Sequence, residues 1–478
     1  MREICVRNPR SGARDYRFRT PSEAELHALC ARLRAGQRGW GAAPLSQRLA
    51  TLRQWRAELQ ARRESIVAAL CADTGRRFIS QVEFDSVLAA ALRWEQAAPR
   101  ILAHAPRDSQ SLPSVRIETA LHPYPLVASI TPWNLPLLLA LLDALPALVA
   151  GCAVIVKPSE VTPRFIEPLR QSIRAVPRLA EVLEVVAGDG ETGAALISRA
   201  DAVCFTGSLR TGRKIAAAAA GRLIPAFLEL GGKDPLIIGA GADMQRAVSA
   251  ALRGALLNSG QACQAIERIY IEEAAADEFC ERLAAAARAV TLSYPDPAQG
   301  QLGPLIWEGQ ARILEAHIAD ARARGAAILC GGEIEHLGGG LWLRPTLLAR
   351  ANHEMLAMRE ESFGPLLPIM ACRNLAHAAE LAADSQYGLS AAVIAGSADE
   401  ALAVARLLPA GAVSIGDAAL TTMVHDAEKH AFGHSGLGAA RMGEAGLLRF
   451  LRRQALLVQR GDPLPLAAFD ESGAAAAF

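Results

Sequence analysis

The apolar positions of the chain recur with two different periods. Between residues 46 and 70 they follow helical spacing, at Leu49, Leu52, Trp55 and Leu59, which predicts an amphipathic helix with a solvated, arginine-rich face. Further along, short apolar runs alternate with longer segments, as strands alternate with helices. The predicted strands are 126–130, 153–156, 184–186, 202–205 and 226–228. This pattern is typical of a parallel sheet with helices on both faces.

A second series of strands and helices begins near Pro235. Its predicted strands are 236–238, 268–271 and 391–394. We therefore expect an α/β protein with two doubly wound α/β domains, joined near Gly231 and Gly232, plus a small β element. The predicted boundaries are 1–111 and 126–231 for the first domain, 232–448 for the second, 112–125 and 449–463 for the β element, and 464–478 for a tail.

One apolar run, residues 135–156, is long enough to be mistaken for a membrane span. Asp143 interrupts it, and Pro146 and Gly151 punctuate it, which is atypical of a spanning helix. We interpret the run as a helix at 137–148 followed by a buried strand at 152–156. No membrane span is predicted.

The composition excludes several classes of partner. The 478 residues include 50 Lys and Arg against 49 Asp and Glu, so no overall field attracts nucleic acid or an anionic membrane surface. The nine cysteines are dispersed without a close CxxC pair, and we assign no metal. An odd, dispersed set of thiols suits a reducing compartment, and the N-terminus lacks the apolar stretch of a signal peptide, so a cytoplasmic location is predicted.

The strongest chemical signal is a cysteine that follows a glutamate by 34 residues. Cys263 ends the segment NSGQAC at 258–263, and Glu229 lies in the glycine-rich segment LELGGK at 228–233. A thiol and a carboxylate supply the nucleophile and the base that acyl chemistry requires. The alternatives are an inert core thiol and a buried carboxylate that caps the glycine turn.

Both segments closely resemble those of the aldehyde dehydrogenase superfamily, and the resemblance covers nearly the whole chain. It implies that Cys263 attacks an aldehyde and that Glu229 activates the hydrolytic water. The segment ITPWNLP at 130–136 resembles the family loop whose asparagine amide, with the amide of the cysteine, stabilises the tetrahedral alkoxide. By that match the asparagine is Asn134. Its alternative role is a helix N-cap.

The same resemblance implies a dinucleotide cofactor. The segment FTGS at 205–208 leads from a predicted strand through Gly212 into a helix at 214–220, so its amides can meet a pyrophosphate, although such a turn is also common without a ligand. The segments KPSE at 157–160 and EESFGP at 360–365 match those that hold the adenosine and nicotinamide riboses. The predicted cofactor-binding residues are Trp133, Lys157, Ser159, Glu160, Gly190, Phe205, Thr206, Gly207, Ser208, Gly231, Glu361 and Phe363. The carboxylate of Glu160 disfavours a 2′-phosphate, and NAD is therefore the predicted cofactor.

The implied reaction is oxidation of an aldehyde to its carboxylic acid, with reduction of NAD and hydrolysis of a thioester on Cys263. Relatives that transfer the acyl group to coenzyme A generally lack a glutamate at the place of Glu229. The alternatives are a relative that has kept the fold without the activity and an esterase that uses the same cysteine. The first domain is accordingly interpreted as the NAD-binding domain and the second as the catalytic domain.

Three segments depart from the family pattern. Asp143 and Arg441 stand where many members have a lysine and a glutamate, which suggests an ion pair kept with reversed polarity. The segment 432–438 is shorter than usual, and Gly416 stands where asparagine is common. The last two lie near the expected mouth of the substrate pocket.

The expected pocket is apolar, which bears on the substrate. The positions that match pocket-lining residues of the family are Val87, Leu135, Leu138, Leu142, Ala262 and Gln264. No arginine is among them to hold a carboxylate, so an apolar aliphatic or ring-bearing aldehyde is predicted, with a semialdehyde as the alternative. Three nearby histidines, at 425, 430 and 434, are interpreted as solvated.

The resemblance also implies self-association. Residues 116–122 alternate in the manner of an exposed strand, and residues 455–459 are suited to pairing with a neighbouring subunit. We expect a homodimer or homotetramer that acts on a small aldehyde.

Overall fold

A computed structural model describes residues 1–463, 465–469 and 471. The low-complexity end predicted at 473–478 lies outside the described residues. The first elements are β1 (Glu3–Val6), β2 (Tyr16–Arg19), α1 (Glu23–Ala42), α2 (Leu45–Ala61), α3 (Arg63–Thr74), α4 (Arg77–Ile101), β3 (Arg107–Asp108) and β4 (Val115–Pro123). The helical stretch predicted at 46–70 is confirmed as two helices, because the backbone leaves helical geometry at Arg62 (φ −105°, ψ 14°) and a new helix begins at Arg63.

The five strands predicted for the first domain are confirmed. The elements are β5 (Leu126–Ile130), α5 (Pro136–Leu142), α6 (Ala144–Ala150), β6 (Ala153–Lys157), α7 (Ile166–Arg174), α8 (Pro177–Ala180), β7 (Leu183–Val185), α9 (Gly190–Ile197), β8 (Ala202–Thr206), α10 (Leu209–Gly221) and β9 (Ala226–Glu229). Strands β5 to β9 are parallel in the order β9-β8-β5-β6-β7. Their residues are buried in one large core with the N-terminal helices, including Trp55 and Phe84.

The helix predicted at 137–148 is wrong as one helix, since α5 and α6 meet at Asp143. The nitrogen of Pro146 carries no hydrogen and cannot donate to the carbonyl of Leu142, which interrupts the helical hydrogen bonds at this point. The break places the Asp143 side chain in the interior, at 1% exposure.

The second domain begins after the Gly231-Gly232 turn. Its elements up to residue 372 are β10 (Asp234–Ile238), α11 (Met244–Leu256), a 3₁₀ helix (Leu257–Gly260), β11 (Ile266–Glu272), α12 (Glu273–Arg288), α13 (Glu308–Ala323), β12 (Ala327–Cys330), β13 (Ile334–Leu337), β14 (Gly340–Leu343), β15 (Thr346–Ala349), α14 (Leu356–Arg359) and β16 (Leu366–Cys372).

The remaining elements run to the C-terminal strand. They are α15 (Leu375–Ala383), β17 (Tyr387–Gly388), β18 (Ala391–Ile394), α16 (Ala398–Ala405), β19 (Val413–Ile415), a 3₁₀ helix (Leu420–Thr422), β20 (Phe432–Gly433), β21 (Gly436–Leu437), α17 (Ala445–Leu448), β22 (Leu451–Gln459) and a 3₁₀ helix (Leu466–Phe469).

The sheet of the second domain has the order β12-β15-β16-β11-β10-β18-β19, and only the β12–β15 pair is antiparallel. Successive residues of β10 enter different cores: Leu236 and Ile238 pack in one cluster and Ile237 in another. Both faces of the sheet are therefore covered, as expected of a doubly wound α/β domain.

The C-terminal part of the second sequence segment returns to the first domain. Strand β21 pairs antiparallel with β9, and Leu447 and Phe450 join the core of the first domain. The boundary predicted at 448 stays a prediction.

A third sheet, in the order β22-β4-β3, contains the two strands predicted at 116–122 and 455–459. Strand β22 pairs with β4 of the same chain over nine residues, from Leu451 opposite Pro123 to Gln459 opposite Val115. Its other edge is unpaired within the described part of the chain, and Leu457 on it is 67% exposed.

Among the described helices, none is long and apolar enough to cross a membrane. Across the described residues, no cluster of three His, Cys, Asp or Glu side chains is arranged to hold a metal ion. All nine cysteines are free thiols.

Candidate active site

The strand order creates a crevice in the first domain. From β5 the chain continues to β6 and β7 on one side and then returns to β8 and β9 on the other. Helices that follow adjacent strands on opposite sides of such a switch point diverge, and ligands of α/β sheets bind in the space outside the carboxyl ends of those strands. The loops that follow Ile130 and Thr206 meet at this place, and both contain predicted site residues.

The turn after β8 has the form of a phosphate cradle. The hydroxyl of Ser208 accepts a hydrogen bond from the amide of Thr211 (3.4 Å) and caps the 13-residue helix α10. A Cβ on Gly207 would lie 2.6 Å from the ring of Phe205, so glycine is required there. The remaining amides in the first turn of α10 have no partner within the helix, and the helix dipole favours an anion there.

The end of β6 carries the residues predicted to bind the adenosine ribose. The buried ammonium of Lys157 lies 3.3 Å from Oε2 of Glu160, whose side chain is 41% exposed. The hydroxyl of Ser159 accepts from the amide of Val161 at 3.2 Å. Gly190 begins α9 after the N-cap Asp189, and nothing lies within 4 Å of the place where its Cβ would be. An exposed carboxylate beside an ammonium is suited to ribose hydroxyls.

The second domain closes the crevice with the predicted residues Glu361 and Phe363. The carboxylate of Glu361 accepts from the amide of Gly232 at 3.2 Å, and a Cβ on Gly231 would lie 2.6 Å from it. Burial, reinforced by Glu267, raises the pKa of Glu361 to about 8. The Phe363 ring lies edge-on to Trp133 with centroids 5.4 Å apart.

A buried ion pair that we did not predict supports this segment. Glu267 accepts from the amides of Ser362 and Phe363 at 2.7 and 2.8 Å, and Lys233 donates to Glu267 at 2.6 Å and to the Ser362 hydroxyl at 2.9 Å. Lys233 is visible in the motif LELGGK, but no local signal connects it with Glu267. The pair fixes the backbone that carries Glu361 and Phe363.

The cysteine loop adopts a constrained conformation. Asn258, Ser259 and Gly260 all have positive φ, at 55°, 59° and 73°. A Cβ on Gly260 would collide with the backbone of Gly364, so only glycine fits there. Both ends of the Gln261 amide are bonded, to Pro304 O and to the amide of Ile306. The loop therefore holds the next residues, including Cys263, in one geometry.

The turn that follows Glu229 meets the cysteine loop at the junction of the two domains, and the charge of Glu229 acts on the thiol of Cys263. A Cβ on Gly232, in the turn that follows Glu229, would lie 2.8 Å from the carbonyl oxygen of Cys263. Both Cys263 and Glu229 are partly exposed, whereas their neighbours Ala262 and Leu228 are buried. The choice between a reactive thiol and a core thiol at Cys263 stays a prediction.

The environment of Cys263 opposes ionisation of its thiol. Burial of the sulfur, with the nearby carboxylates of Asp234, Glu361 and Glu229, raises the pKa of Cys263 to about 12, and the charge of Arg441 acts in the opposite direction. The thiol is therefore protonated at neutral pH, and attack by sulfur requires a base.

Asn134 is buried behind the cysteine loop. Its side-chain amide donates to the carbonyl of Gln261 at 3.0 Å, which leaves a second N–H available. The main-chain carbonyl of Asn134 accepts from Arg76 (3.0 Å) and from the side chain of Asn258 (3.1 Å). Arg76, which also donates to the carbonyl of Asn258 (2.9 Å), was missed because nothing distinguishes it from the many other arginines of this helical region. It joins the asparagine loop to the cysteine loop.

The helix that follows Asn134 is capped by another residue that the sequence did not reveal. One oxygen of the buried Glu83, on α4, accepts from the amides of Leu137 and Leu138 at 2.6 and 2.8 Å. Burial raises the pKa of Glu83 to about 7. The alternative role of Asn134 as a helix N-cap is not seen, since α5 has no capping side chain at its N-cap position.

The ion pair predicted between Asp143 and Arg441 is confirmed. Arg441 donates to the two carboxylate oxygens of Asp143 at 3.0 and 2.9 Å, and it also contacts the hydroxyl of Thr206. Arg449 binds the same carboxylate, which the sequence did not reveal. Burial opposes the charge on Asp143, but the two arginines outweigh it and hold the pKa of Asp143 below its usual value.

A family model agrees with this geometry. The model described as "Aldehyde dehydrogenase family" matches residues 1–456. The chain belongs to the aldehyde dehydrogenase family.

Individual aldehyde dehydrogenases match along almost the whole chain. The putative succinate-semialdehyde dehydrogenase of Mycolicibacterium smegmatis, whose name specifies NADP(+), is 35% identical over 441 residues, 91% of this chain and 85% of the relative. The structure of the putative aldehyde dehydrogenase PutA from Anabaena variabilis has a TM-score of 0.96 and 50% identity, covering 98% of this chain and 100% of that one. Betaine aldehyde dehydrogenase from Staphylococcus aureus, solved with NAD+, has a TM-score of 0.90 and 27% identity, covering 98% and 94%.

Membership of the aldehyde dehydrogenase family confirms the predicted enzyme class and the two-domain α/β fold. Aldehyde dehydrogenases use NAD or NADP, and the names of the relatives include both cofactors. The residues that face the cofactor crevice must therefore support any choice between the two.

The predicted substrate wall of this aldehyde dehydrogenase is partly apolar. Leu139, Leu142 and Met442 form a small cluster against Leu135 and Leu138. Val87 instead belongs to the main core of the first domain, where it is 1% exposed. Gln264 accepts a hydrogen bond from the hydroxyl of Thr421 at 3.2 Å, so the loop before β20 adjoins the cysteine.

Proposed function

We propose that the chain oxidises an aldehyde to its carboxylic acid with NAD as the oxidant, through a covalent intermediate on Cys263. The observation that carries this proposal is the meeting of the cysteine loop with the turn after Glu229 at the domain junction, where Cys263 and Glu229 are both partly exposed. Thioester chemistry requires at least a nucleophile and a base at a position that the substrate can reach.

The first step is addition of sulfur to the aldehyde. The thiol of Cys263 loses its proton to the carboxylate of Glu229, a bond forms between sulfur and the carbonyl carbon, and the carbonyl oxygen becomes an alkoxide. The amide of Cys263 and the free N–H of Asn134 donate to that alkoxide. A preorganised donor of this kind lowers the barrier by roughly 3 kcal/mol. Arg76 and Asn258 hold the Asn134 backbone and thereby aim its side chain.

The nicotinamide, when bound, supplies the hydride acceptor that converts the thiohemiacetal on Cys263 to a thioester. The residues that would hold the cofactor are the crevice residues from Phe205 to Ser208, the ribose residues Lys157 and Glu160, and the pair Glu361 and Phe363.

Hydrolysis then frees the enzyme. Glu229 first releases to solvent the proton that it took from the thiol. It then accepts a proton from water, the hydroxide oxygen bonds to the thioester carbon, and the carbon–sulfur bond breaks. The departing sulfur takes up the proton, which restores the thiol and releases the carboxylic acid. The partial exposure of Glu229 supports this role, because a water molecule must reach its carboxylate.

The preference for NAD is proposed from Glu160. Its side chain is open to solvent at the end of β6, and its carboxylate would repel a 2′-phosphate while accepting from ribose hydroxyls. Lys157, which lies 3.3 Å from Glu160, offsets part of that charge. We therefore expect a preference for NAD with residual use of NADP.

The proposal is tested by the formation of NADH at 340 nm. The purified chain is given NAD or NADP and aldehydes of the short aliphatic, long-chain, aromatic and semialdehyde classes, with Cys263→Ala as the matched variant. We expect turnover that is faster with NAD and absent in Cys263→Ala. Activity that survives in Cys263→Ala, or ester cleavage as the only activity, contradicts the mechanism. A higher kcat/KM with NADP contradicts the cofactor preference alone.

A further inference from the structure

Lys429 is a cation of the candidate site for which the reaction above has no use. It lies between the 3₁₀ helix Leu420–Thr422 and β20, and its half-buried ammonium donates to the carbonyl of Thr421 at 2.5 Å. Burial lowers the pKa of Lys429, and Glu229 and Cys263 act on it in the opposite direction. The ammonium therefore lies within electrostatic reach of both predicted catalytic groups.

The charge of Lys429 has no direct partner in the described part of the chain. An ammonium has three N–H donors, and Lys429 uses one of them, on a neutral carbonyl. No carboxylate oxygen of the described residues lies within 4.0 Å of it. Lys233 shows the contrast, because that buried lysine is bonded to Glu267 and Ser362. The remaining N–H donors of this half-buried ammonium are available to an anion.

His425 lies on the same loop as Lys429, and burial, with the charges of Arg93 and Lys429, lowers its pKa and so opposes a positive charge on it. His425 is half-buried and lies within electrostatic reach of both Lys429 and Arg93, with Asp426 as the opposing acid. The Nδ1 atom of His425 is buried without a hydrogen-bond partner. Two groups on this loop, Lys429 and His425, therefore retain unused hydrogen-bonding capacity.

The loop that carries His425 and Lys429 contacts the cysteine segment on one side and adjoins the apolar cluster of Leu139, Leu142 and Met442 on the other. The hydroxyl of Thr421, whose carbonyl holds Lys429, donates to Gln264, the neighbour of Cys263. The amide of Gly443 donates to the carbonyl of His425 at 3.3 Å, and the preceding Met442 packs on Leu139 and Leu142. An apolar surface thus adjoins both the nucleophile and the cation.

We propose that Lys429 binds a carboxylate at the far end of the aldehyde substrate, so that the chain prefers an ω-oxo carboxylic acid with an unbranched apolar chain. The inference rests on the proposed function and names its substrate class. The free donors of Lys429 form charge-assisted hydrogen bonds with the carboxylate, and the methylene groups contact the leucine wall. The apolar lining predicted from the sequence is retained, and Lys429 supplies the carboxylate-binding group that was expected to be absent.

The test compares aldehydes that differ only in the terminal carboxylate. The probes are 4-oxobutanoate, 5-oxopentanoate and 6-oxohexanoate against butanal, pentanal and hexanal, at constant ionic strength and saturating NAD. The variants are Lys429→Met, Lys429→Arg and the control His430→Gln. His430 is the next residue, is exposed and pairs with Glu428.

We expect Lys429→Met to lower kcat/KM for the best oxo acid by about 10- to 100-fold, mainly through KM, because removal of one ionic hydrogen bond costs roughly 1.5–3 kcal/mol. The neutral aldehydes keep their kcat/KM, Lys429→Arg retains most of the preference, and His430→Gln changes neither class. Equal losses with both classes would assign Lys429 to the chemistry or to the loop and overturn the inference. A wild-type enzyme that prefers the neutral aldehydes overturns it as well.

A second measurement separates this inference from the proposed function. Iodoacetamide alkylates Cys263, and adipate, a dicarboxylate that cannot react, is added as a competitor. We expect adipate to protect Cys263 in the wild type and in His430→Gln but not in Lys429→Met. Protection that is equal in all three overturns the inference. Absence of NADH formation with every aldehyde overturns the proposed function, whatever adipate does.

Discussion

At the scale of single residues, Arg441 is the charged group that lowers the pKa of Cys263, the predicted nucleophile. Burial lowers the pKa of Arg441, but Asp143 and Glu229 outweigh it and raise the pKa above its usual value, so the guanidinium stays charged. That charge lowers the pKa of Cys263 while burial and three carboxylates raise it. The reversed polarity of the Asp143–Arg441 pair therefore places a permanent cation beside the thiol.

Removal of this cation gives a prediction on pH dependence. Below its pKa, the thiolate fraction of Cys263 rises tenfold for each unit of pH, and a higher pKa lowers that fraction at every pH below it. Arg441→Met raises the pKa of Cys263, so we expect alkylation by iodoacetamide at pH 8 to slow by about three- to tenfold. The measurement is the rate of thiol alkylation between pH 7 and 10.

Arg449→Met is the matched control for that experiment, since Arg449 is equally buried and binds the same carboxylate of Asp143. Both variants disturb the Asp143 network, and Arg441 alone acts strongly on the sulfur. An equal effect of the two substitutions on the alkylation rate would refute the role of Arg441.

At the scale of elements, the start of α5 depends on a distant side chain. Glu83 on α4 accepts from the amides of Leu137 and Leu138 and so replaces the missing N-cap of the helix that follows Asn134. Unbonded amides at a helix N-terminus are costly when they are buried. The position of the Asn134 loop is therefore determined by packing of two helices as well as by its own prolines.

Two substitutions of Glu83 separate its hydrogen bonds from its charge. Glu83→Ala removes both acceptor contacts and is expected to lower the free energy of unfolding by about 2 kcal/mol or more. Glu83→Gln keeps an acceptor oxygen and removes the ionisable group. Because burial raises the pKa of folded Glu83 to about 7, folding takes up a proton between the ordinary pKa of Glu and pH 7.

Wild-type stability is consequently expected to fall relative to Glu83→Gln as pH rises from about 5 to 8. Thermal unfolding across this range, compared between the two proteins, measures the effect. A difference in Tm that stays constant with pH would show that Glu83 does not titrate with a raised pKa.

At the scale of the whole molecule, the sheet of β22, β4 and β3 leaves one strand edge open among the described residues. Strand β22 has a free edge among the described residues, and three successive apolar residues on it are at least 41% exposed: Leu456, Leu457 and Val458. An unprotected strand edge with apolar side chains is a surface that soluble proteins usually cover. We propose that a second copy of the chain covers it, in a dimer or a tetramer.

Leu457→Glu tests this proposal. Burial of a leucine side chain contributes about 1.5–3 kcal/mol, so its loss is expected to weaken the association at least tenfold while the Tm of the protomer changes little. Sedimentation velocity over a range of concentrations gives the mass. The control is Leu407→Glu, because Leu407 is similarly exposed, at 61% against 67%, but lies elsewhere. Equal masses for the two variants would exclude β22 as the interface.

The sequence by itself determined the strands, the class of fold and the family motifs. Apolar periodicity reports burial within a few residues, and this local signal located β5, β8 and β10 and the segments around Cys263 and Glu229. Apolar periodicity did not predict the helix breaks at Arg62 and Asp143, because such a break depends on what the helix packs against. The catalytic and cofactor roles assigned to these motifs stay predictions.

Only the tertiary structure decided which polar groups meet. Arg76 bonds a carbonyl 58 residues away, Glu83 caps amides 54 residues away, and Arg449 binds a carboxylate at a separation of 306 residues. The position of Lys429 near Cys263, with no carboxylate bonded to it, follows from the fold and not from the local sequence. Hydrogen bonds and ion pairs form between any two segments that the core brings together, so their partners follow from the packing of the whole chain and not from local spacing.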